Sequence, residues 1–585
     1  MSFSLKRTKI IATLGPASSD ESTLSAMIKE GMNIARLNFS HGTYETHGRS
    51  LKMIRSLEEK LGIPVAVMLD TKGPEIRTGR LKSGAIYLTE GSTVVLTSED
   101  IEGDENKISV NHRELAKDVK PGDRILIDDG SLELEVIDVR DGEVYCKVIV
   151  GGELGERKGV NVPGVDLSLP SLSDKDISDI RWGVENGVDW FAISFVRKAS
   201  DIFEVRRIIE ESNGSIKIIA KIETRQAVSN FDEILKVSDG IMVARGDLGV
   251  ELPPEEVPLL QKRIINACRK VGKPVIVATQ MLESMIHNPR PTRAEANDVA
   301  NAIFDGADAV MLSGETAKGK YPVEAVKMMR KIIEKTEEEI LREERSFSVF
   351  ISSSIPDAVS HATCTIAKDL KASAIITATQ SGSTARMVAK YRPSCPIIAT
   401  TPSLKTIREL LLTWGVYPIK IEPTESTDKL LETSVESAFE AGYLSEGDLV
   451  VLTAGVPVGI PGTTNLVKVH VIAKILIKGV GIGKKKAIGK VVLAPTAEDA
   501  LNKVEKGSIL VVNQTDSEYI PIMDKVVGII AEEGGLSSHA AIVGLQYGIP
   551  VIVGAKDALS ILKDGMVVSV DGERGVVYEG EVKLI

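Results

Sequence analysis

The sequence predicts an α/β protein built on a closed (β/α)8 barrel. Three observations carry that prediction. Short Val/Ile-rich runs alternate with longer amphipathic segments, the pattern of parallel strands crossed over by helices. There are about eight such runs, the number a closed barrel needs. Polar or ionisable residues stand at the end of run after run, where a barrel would gather them at one mouth. An open doubly wound sheet is the rival architecture.

In chain order the runs span residues 9–13, 33–38, 65–70, 190–194, 217–223, 240–245, 275–279 and 309–313. Between them, residues 19–30 open with Ser/Asp caps and residues 258–271 end at Gly272, so both read as helices. Residues 1–73 and 170–345 are therefore assigned to the barrel, with a charged helix closing the second part. The interval 74–169 differs in texture: alternating apolar and polar residues at 125–128, 132–136 and 144–148, with the turn pairs Pro121-Gly122 and Asp141-Gly142. It predicts a small antiparallel β domain inserted in a barrel loop, above the mouth, as a lid. A second α/β region, 346–475, carries strand-like runs at 374–379, 396–400, 417–421 and 448–453. The Gly/Lys stretch from Lys478 to Lys486 reads as a linker, and 478–585 as a further domain with runs at 508–512, 527–530 and 551–553.

Composition narrows the function. With 585 residues, and about 150 per domain as a prior, three to five domains are expected. Hydrophobic content of 43% and charged content of 26% are ordinary for a folded globular chain. A net charge of -11 and 4% aromatics disfavour nucleic acid, including for the basic triplet Lys484–Lys486. The four cysteines, Cys146, Cys268, Cys364 and Cys395, form no CxxC pair, so neither a metal knuckle nor a disulfide framework is expected. No run approaches the roughly 18–20 apolar residues of a membrane span. The expected setting is the cytoplasm, without secretion.

The strand-end residues are Arg36, Asn38, Asp70, Thr71, Ser194, Lys221, Glu223, Arg245, Asp247, Thr279, Ser313 and Glu315. Glu223 and Asp247 come from consecutive runs, and two neighbouring carboxylates must share a proton or bind a cation. Mg²⁺, which takes one or two carboxylates and completes its shell with water and substrate oxygens, suits such a pair; zinc does not, with no His or Cys nearby. The cations Arg36, Arg77, Lys158, Lys221 and Arg245 outnumber that pair and imply an anionic, phosphorylated substrate. Lys221 stands two residues before Glu223 in an apolar run, so alternation points both inward, and its ammonium suits a phosphoryl group or an enolate, a Lys-Glu ion pair holding the barrel bottom being the other reading.

Seven segments then carry a resemblance: Asn33-Ile-Ala-Arg-Leu-Asn-Phe-Ser-His-Gly42, Leu69-Asp-Thr-Lys-Gly-Pro-Glu-Ile-Arg-Thr-Gly79, Lys158-Gly-Val-Asn-Val-Pro-Gly164, Ile219-Ala-Lys-Ile-Glu223, Met242-Val-Ala-Arg-Gly-Asp-Leu-Gly249, Ala278-Thr-Gln-Met-Leu-Glu-Ser-Met285 and Leu312-Ser-Gly-Glu-Thr316. In this order, over about residues 5–475, the set resembles that of pyruvate kinases. The resemblance implies phosphoryl transfer from phosphoenolpyruvate to ADP, giving pyruvate and ATP in glycolysis. It implies Mg²⁺ on Glu223 and Asp247, and K⁺ on Asn38, Ser40, Asp70 and Thr71. Arg36, Lys221, Gly246, Asp247 and Thr279 would hold substrate; Arg77 and Lys158, with Asn38 and His41, match the nucleotide side. Lys221 would stabilise the transferring group and the enolate, and Thr279 would help deliver the final proton through water, with Ser313 and Glu315 in the same network. A structural hydrogen bond is the other role open to His41. Glu75 matches members that require K⁺, others having lysine there. Family analogy further implies a homotetramer.

Two regions add regulation and an extra domain. Thr377-Ala-Thr-Gln-Ser-Gly-Ser-Thr-Ala385 leaves a strand and opens a helix, a favourable phosphate site or an ordinary cap. In the resembled family the matching loop binds the phosphate of an activator, which implies Ser381, Ser383 and Thr384 as contacts for a sugar phosphate or nucleotide monophosphate. Residues 532–554 resemble the swivelling phosphohistidine domain of phosphoenolpyruvate-utilising enzymes, with His539 at the phosphorylated position; Gly544-Leu545 replaces the usual alanine-arginine pair, so a structural or assembly role for the domain is favoured over a catalytic His539. The competing readings are a Mg²⁺-dependent enolate lyase or aldolase, which would not need a lid bearing Arg77 and Lys158, and a catalytically dead metabolite sensor, which would not need Lys221, Glu223, Asp247 and Thr279.

Overall fold

The computed structural model describes residues 6–342, 354–424, 426–456 and 462–582. The expected boundary at 345/346 falls outside them. The chain forms two compact units: residues 1–350 with 389–392 and 403–418, and residues 351–388, 393–402 and 419–585.

In the first unit eight parallel strands close a barrel: β1 (Lys9–Leu14), β2 (Ile34–Asn38), β3 (Ala66–Asp70), β4 (Trp190–Ile193), β5 (Lys217–Ile222), β6 (Gly240–Ala244), β7 (Val275–Ala278) and β8 (Ala309–Leu312). Each pairs with its sequence neighbours and β8 returns to β1, through Lys9↔Ala309 and Met311↔Ile11. The doubly wound alternative is thus excluded. Nearly every strand residue is buried, because one face packs the barrel interior and the other the helices. Ile11, Ile34, Met68, Trp190, Met242 and Met311 fill the interior, and Leu411 and Leu412 pack into the same cluster. The helices begin where short polar side chains cap them. Asp20 accepts from the Thr23 amide ahead of Glu21–Lys29, and Thr292 and Glu295 form a reciprocal box ahead of Arg293–Asp305. The helix Val257–Val271 ends at left-handed Gly272, as its sequence predicts.

The inserted segment follows β3. Its seven-stranded sheet runs, in spatial order, Ile76–Arg77, Gly159–Asn161, Arg124–Ile127, Leu132–Arg140, Glu143–Val150, Thr93–Thr97 and Lys107–Ser109. One pairing, Thr93–Thr97 with Lys107–Ser109, is parallel, so the sheet is mixed rather than wholly antiparallel. The Asp141-Gly142 turn joins Leu132–Arg140 to Glu143–Val150 with both residues left-handed, at φ 54° and 77°. This sheet has its own core, with Val94, Ile125, Leu134 and Cys146 at its centre.

The second unit holds two sheets. The first contains β9 (Ala374–Ala378), β10 (Ile397–Thr401), β11 (Val416–Lys420), β12 (Leu449–Gly455) and β13 (Thr464–Val471), ordered β11-β10-β9-β12-β13. The strand β13, which the sequence reading missed, is an antiparallel edge of mixed polarity. The second sheet has eight strands: β14 (Ile475–Lys478), β15 (Val480–Ile482), β16 (Lys486–Leu493), β17 (Ser508–Val512), β18 (Val526–Ala531), β19 (Val551–Val553), β20 (Val567–Asp571) and β21 (Val576–Glu579), ordered β14-β21-β20-β16-β17-β18-β19-β15.

The expected linker from Lys478 to Lys486 is therefore corrected. Lys478, Val480–Ile482 and Lys486 lie in strands, with only Gly479 and residues 483–485 between them, and β14 and β15, one residue apart in sequence, sit at opposite ends of the sheet order, so the sheet curls round upon itself. Glycine serves close approach here rather than flexibility: a Cβ on Gly481 would lie 2.3 Å from the Gly572 carbonyl oxygen. The sheet of the last domain accordingly begins at Ile475, inside the interval expected for the preceding region.

Candidate functional site

The C-terminal ends of the strands bring the predicted residues to one mouth, because residues following the last paired position of each parallel strand emerge on the same face. Adjacent β2 and β3 place Asn38 opposite Asp70 in register. Asp70, fully buried, accepts from Arg36 Nε at 2.6 Å, and Lys221 Nζ lies 3.2 Å from its other oxygen. Arg36 Nη1 donates to Thr13 Oγ1 at 2.9 Å, which fixes the plane of the guanidinium. Lys221 is also 2.8 Å from Glu223 Oε1 and donates to Ser194 Oγ at 2.7 Å. Ser194 in turn donates to the Thr71 carbonyl oxygen at 2.7 Å. Alternation along β5 thus brings Lys221 and Glu223 together, as expected.

Charge at this point is tightly matched. Burial alone would discharge Lys221, but Asp70 and Glu223 outweigh it and hold the ammonium charged. Burial would likewise raise Asp70, yet Arg36 and Lys221 keep its carboxyl below the usual range. Glu223 is pushed up, by burial first and with the Asp247 charge adding to it, against the pull of Lys221. Asp247, in the first turn of the helix Arg245–Glu251, is raised chiefly by burial.

The five cations counted in the sequence do not all meet here. Arg245 is spent inside the fold, on Asp298 at 2.7 Å and on the Thr279 carbonyl at 2.7 Å. Arg77 Nε pairs with Glu75 at 2.6 Å, and Lys158 Nζ with Asp128 at 2.9 Å, both in the inserted segment. Two cations, Arg36 and Lys221, then face three carboxylates, Asp70, Glu223 and Asp247, one acid more than the bases can pair, which agrees with the upward push on Glu223 and Asp247. A phosphorylated anion would be repelled from this mouth unless a divalent cation joined it. Glu223 and Asp247 fit such an ion: they are hard oxygen donors that the protein's own cations leave partly uncompensated. Among the described residues no group of three or more His, Cys, Asp and Glu side chains forms a protein-only metal cage. Asn38, Ser40, Asp70 and Thr71 offer oxygen donors of the kind a monovalent ion takes; Asn38 Oδ1 accepts from the Ser40 amide at 3.1 Å.

Thr279 is the strained residue of the site. Its φ of 67° is left-handed, a region in which a β-branched residue is a genuine outlier, costing about 1–3 kcal/mol. The strain aims its hydroxyl: Oγ1 accepts from the Gly246 amide at 2.8 Å and donates to the Ala278 carbonyl at 2.6 Å. Ser313 and Glu315, expected in a proton network with Thr279, are joined to each other. Glu315 accepts from the Ser313 amide at 2.7 Å and the Leu282 amide at 3.0 Å, so it ties two mouth loops together. His41 is exposed, and it is its carbonyl that takes part, accepting from His47 Nε2 at 2.8 Å.

Between the barrel mouth and the inserted segment lies a cleft of about 480 Å³ reaching Glu75, Asp129, Asn161, Arg197, Arg225 and Asp247. Arg77 and Lys158 do not line it. Sequence reading missed Asp129, Asn161, Arg197 and Arg225: Asp128-Asp129-Gly130 signals a turn, but nothing local tells that the turn faces Asp247. It also missed Phe195, whose amide donates to Glu223 Oε2 at 2.6 Å, and the stack of Phe39 on His47, with centroids 4.2 Å apart, that props the loop between Asn38 and Ser40.

In the second unit, a pocket of about 80 Å³ is lined by Thr379, Ser381, Thr384, Thr400 and Thr463. Ser383 opens the helix Ser383–Ala389 and is not among the lining residues. The Thr384 hydroxyl shares a 2.8 Å hydrogen bond with Thr464. His539 stands first in the helix His539–Tyr547, with Nδ1 2.9 Å from Thr515 Oγ1. The departure at Gly544 has a packing cause, since a Cβ there would fall 2.0 Å from Val551 Cγ2.

A family model described as pyruvate kinase, barrel domain matches residues 5–326; one described as pyruvate kinase, alpha/beta domain matches 357–470; one described as PEP-utilising enzyme, mobile domain matches 504–575. Pyruvate kinase of Geobacillus stearothermophilus is 52% identical, and that of Bacillus licheniformis 50% identical, each over 99% of this chain and 100% of the relative. Pyruvate kinase of Staphylococcus aureus is 46% identical over the same shares.

Proposed function

The chain belongs to the pyruvate kinase family and is a phosphotransferase that moves the phosphoryl group of phosphoenolpyruvate to ADP, giving pyruvate and ATP; on that premise we propose which of its residues do the work. Arg36, fixed by Asp70 and Thr13, directs its remaining N–H groups at the phosphate. Lys221 lies against the bridging oxygen and neutralises charge as it develops first on the transferring group and then on the enolate. Glu223 and Asp247 hold Mg²⁺, which supplies charge neutralisation at the phosphoryl oxygens. Asn38, Ser40, Asp70 and Thr71 hold K⁺, with Glu75 marking the K⁺-requiring form. Phosphoryl transfer needs in-line positioning and electrostatic stabilisation, so no protein nucleophile is required.

Thr279, braced by the Gly246 amide, orders the water that protonates the enolate carbon, and Gly246 and Asp247 border the substrate. Ser313 and Glu315 act by holding the β7 and β8 loops. Arg77 and Lys158, with Asn38 and His41, serve the nucleotide side, the two insert cations exchanging Glu75 and Asp128 for phosphate oxygens when ADP enters. Ser381, Ser383 and Thr384 receive the phosphate of an activating sugar phosphate or nucleotide monophosphate; a pocket of about 80 Å³ has room for that group rather than for a whole metabolite. The protein works as a cytoplasmic homotetramer. Among the described residues no helix is long and apolar enough to cross a membrane.

The observation that carries the site assignment is the surplus carboxylate at the mouth, which makes anion binding conditional on a divalent cation. A coupled assay of ATP formation from phosphoenolpyruvate and ADP tests it. Activity is expected to vanish without Mg²⁺ and to fall when tetramethylammonium replaces K⁺. Full turnover in a chelator would refute the metal assignment, and full turnover without K⁺ the monovalent one.

A further inference from the structure

We propose that Asn161 is a positioning residue for the nucleotide: its hydrogen bond to Glu251 latches the inserted sheet to the helix that carries Asp247, and so sets where Arg77 and Lys158 stand over the barrel mouth. The proposal rests on the assignment of Arg77 and Lys158 to the nucleotide side. Asn161 Nδ2 donates to Glu251 Oε1 at 3.3 Å, and both residues line the cleft between insert and barrel. Where the chain crosses between the two, Asp176 accepts from the Gly73 amide at 2.9 Å, and Arg197 donates to the Leu167 and Leu169 carbonyl oxygens. Away from those crossings, Asn161 to Glu251 is the one hydrogen bond among the described residues that ties the insert to the barrel.

Both ends of the latch are stiff. Gly159–Asn161 is the middle strand of three, paired with Ile76–Arg77 through Gly159↔Arg77 and with Arg124–Ile127 through Asn161↔Leu126. Lys158, one residue before that strand, is fixed to its neighbour twice: its amide donates to Thr78 Oγ1 at 2.9 Å, and its carbonyl accepts from the Thr78 amide at 2.9 Å. Arg77 and Lys158 therefore move with Asn161. On the barrel side, Glu251 closes the helix Arg245–Glu251 four residues after Asp247, so the two share a face. The start of that helix is held by Arg245 on Asp298 and by the Gly246 amide on Thr279.

The residue types suit a latch better than a ligand contact. An acid in a cleft meant for a nucleotide would weaken the binding of that anion if it acted on it directly, so Glu251 is accounted for by its partner in the insert. An amide donor closes the gap without placing another cation beside Asp247. Arg77 and Lys158 do not themselves line the cleft, and the sheet they ride on has to bring them to the nucleotide.

Steady-state kinetics of the full-length protein test this. Asn161→Ala and Glu251→Ala should each raise KM for ADP roughly fivefold, the net value of one hydrogen bond, with KM for phosphoenolpyruvate unmoved. The double variant should be no worse than either single one, and Glu251→Gln, which keeps an acceptor oxygen, should behave as the parent. The sign for Glu251→Ala is decisive, since removing an acid that only repelled ADP would lower KM. Without substrate or metal, amide exchange across the two crossings should quicken in both alanine variants and not in Glu251→Gln. Lys158→Ala is the control for the underlying assignment. If it raises KM for ADP while the alanine variants leave KM and exchange unchanged, or if their two losses multiply, the latch is refuted and the nucleotide side stands. If exchange quickens but neither Lys158→Ala nor Asn161→Ala moves KM for ADP, the assignment of the insert cations fails and the positioning role with it. Should Asn161→Ala not fold, Glu251→Ala against Glu251→Gln decides.

Discussion

Lys221→Ala is the substitution that tests the barrel mouth most severely. The ammonium sits 2.8 Å from Glu223, 3.2 Å from Asp70 and 2.7 Å from Ser194 Oγ, with only 8% of the residue exposed. Removing it has two effects of different size. In catalysis, a buried charge aimed at the developing enolate is lost, and loss of one such group costs about 10²–10³ in turnover. In stability, Asp70 retains Arg36 while Glu223 loses the cation paired with it, and breaking a buried pair costs about 3–5 kcal/mol. At about 2 °C per kcal/mol for a domain of this size, the barrel should melt roughly 6–10 °C lower. Mg²⁺ on Glu223 and Asp247 would restore part of that loss, so its stabilising effect should be larger in the variant than in the parent. The measurements are turnover in the coupled assay and melting with and without Mg²⁺. Turnover within tenfold of the parent, or an unchanged melting temperature, would show that Lys221 is neither the charge stabiliser nor the keystone of the carboxylate cluster.

Thr279→Val keeps shape and loses the hydroxyl; turnover should drop by about 10²-fold with little change in KM for phosphoenolpyruvate, while Thr279→Ser should recover most of it. Glu75→Lys should make turnover insensitive to K⁺, read from rates across a K⁺ titration at constant ionic strength. Thr384→Ala breaks the buried bond to Thr464, at a cost of about 1 kcal/mol, and should abolish activation by sugar phosphates or nucleotide monophosphates without altering the basal rate. Removal of residues 475–585 should leave ATP formation intact, because no barrel-mouth residue belongs to that segment; loss of basal activity in a folded product would contradict this.

Much of the first unit was legible because parallel strands buried on both faces leave a strong local trace. All eight barrel runs fall within a residue or so of their observed ends, as with Trp190–Ile193 and Val275–Ala278. Strand β13 left no such trace, since its exposed edge mixes Asn465, Lys468 and His470 with valines. The Lys478–Lys486 stretch misled for a physical reason: glycine marks both loose linkers and tight backbone crossings, and only the structure distinguishes them. For the site, the residue types were readable and their partners were not. Arg245 counts among the mouth cations in the sequence, but Asp298, 53 residues away, claims it. The same holds for Arg77 and Lys158, whose acids lie within the insert. Phe195 carries no chemistry in its side chain, and its amide reaches Glu223 only through a left-handed turn.

The curled final sheet has an outcome for how such a module can be joined to a host. Ile475 on its first strand pairs with Tyr578 on its last, so the peptide enters and leaves through neighbouring doorways. Circular permutation and grafting into a foreign loop favour that arrangement, because neither end must be dragged across the body. This domain should therefore be portable, and its place at the end of the chain is one of several addresses its fold would accept.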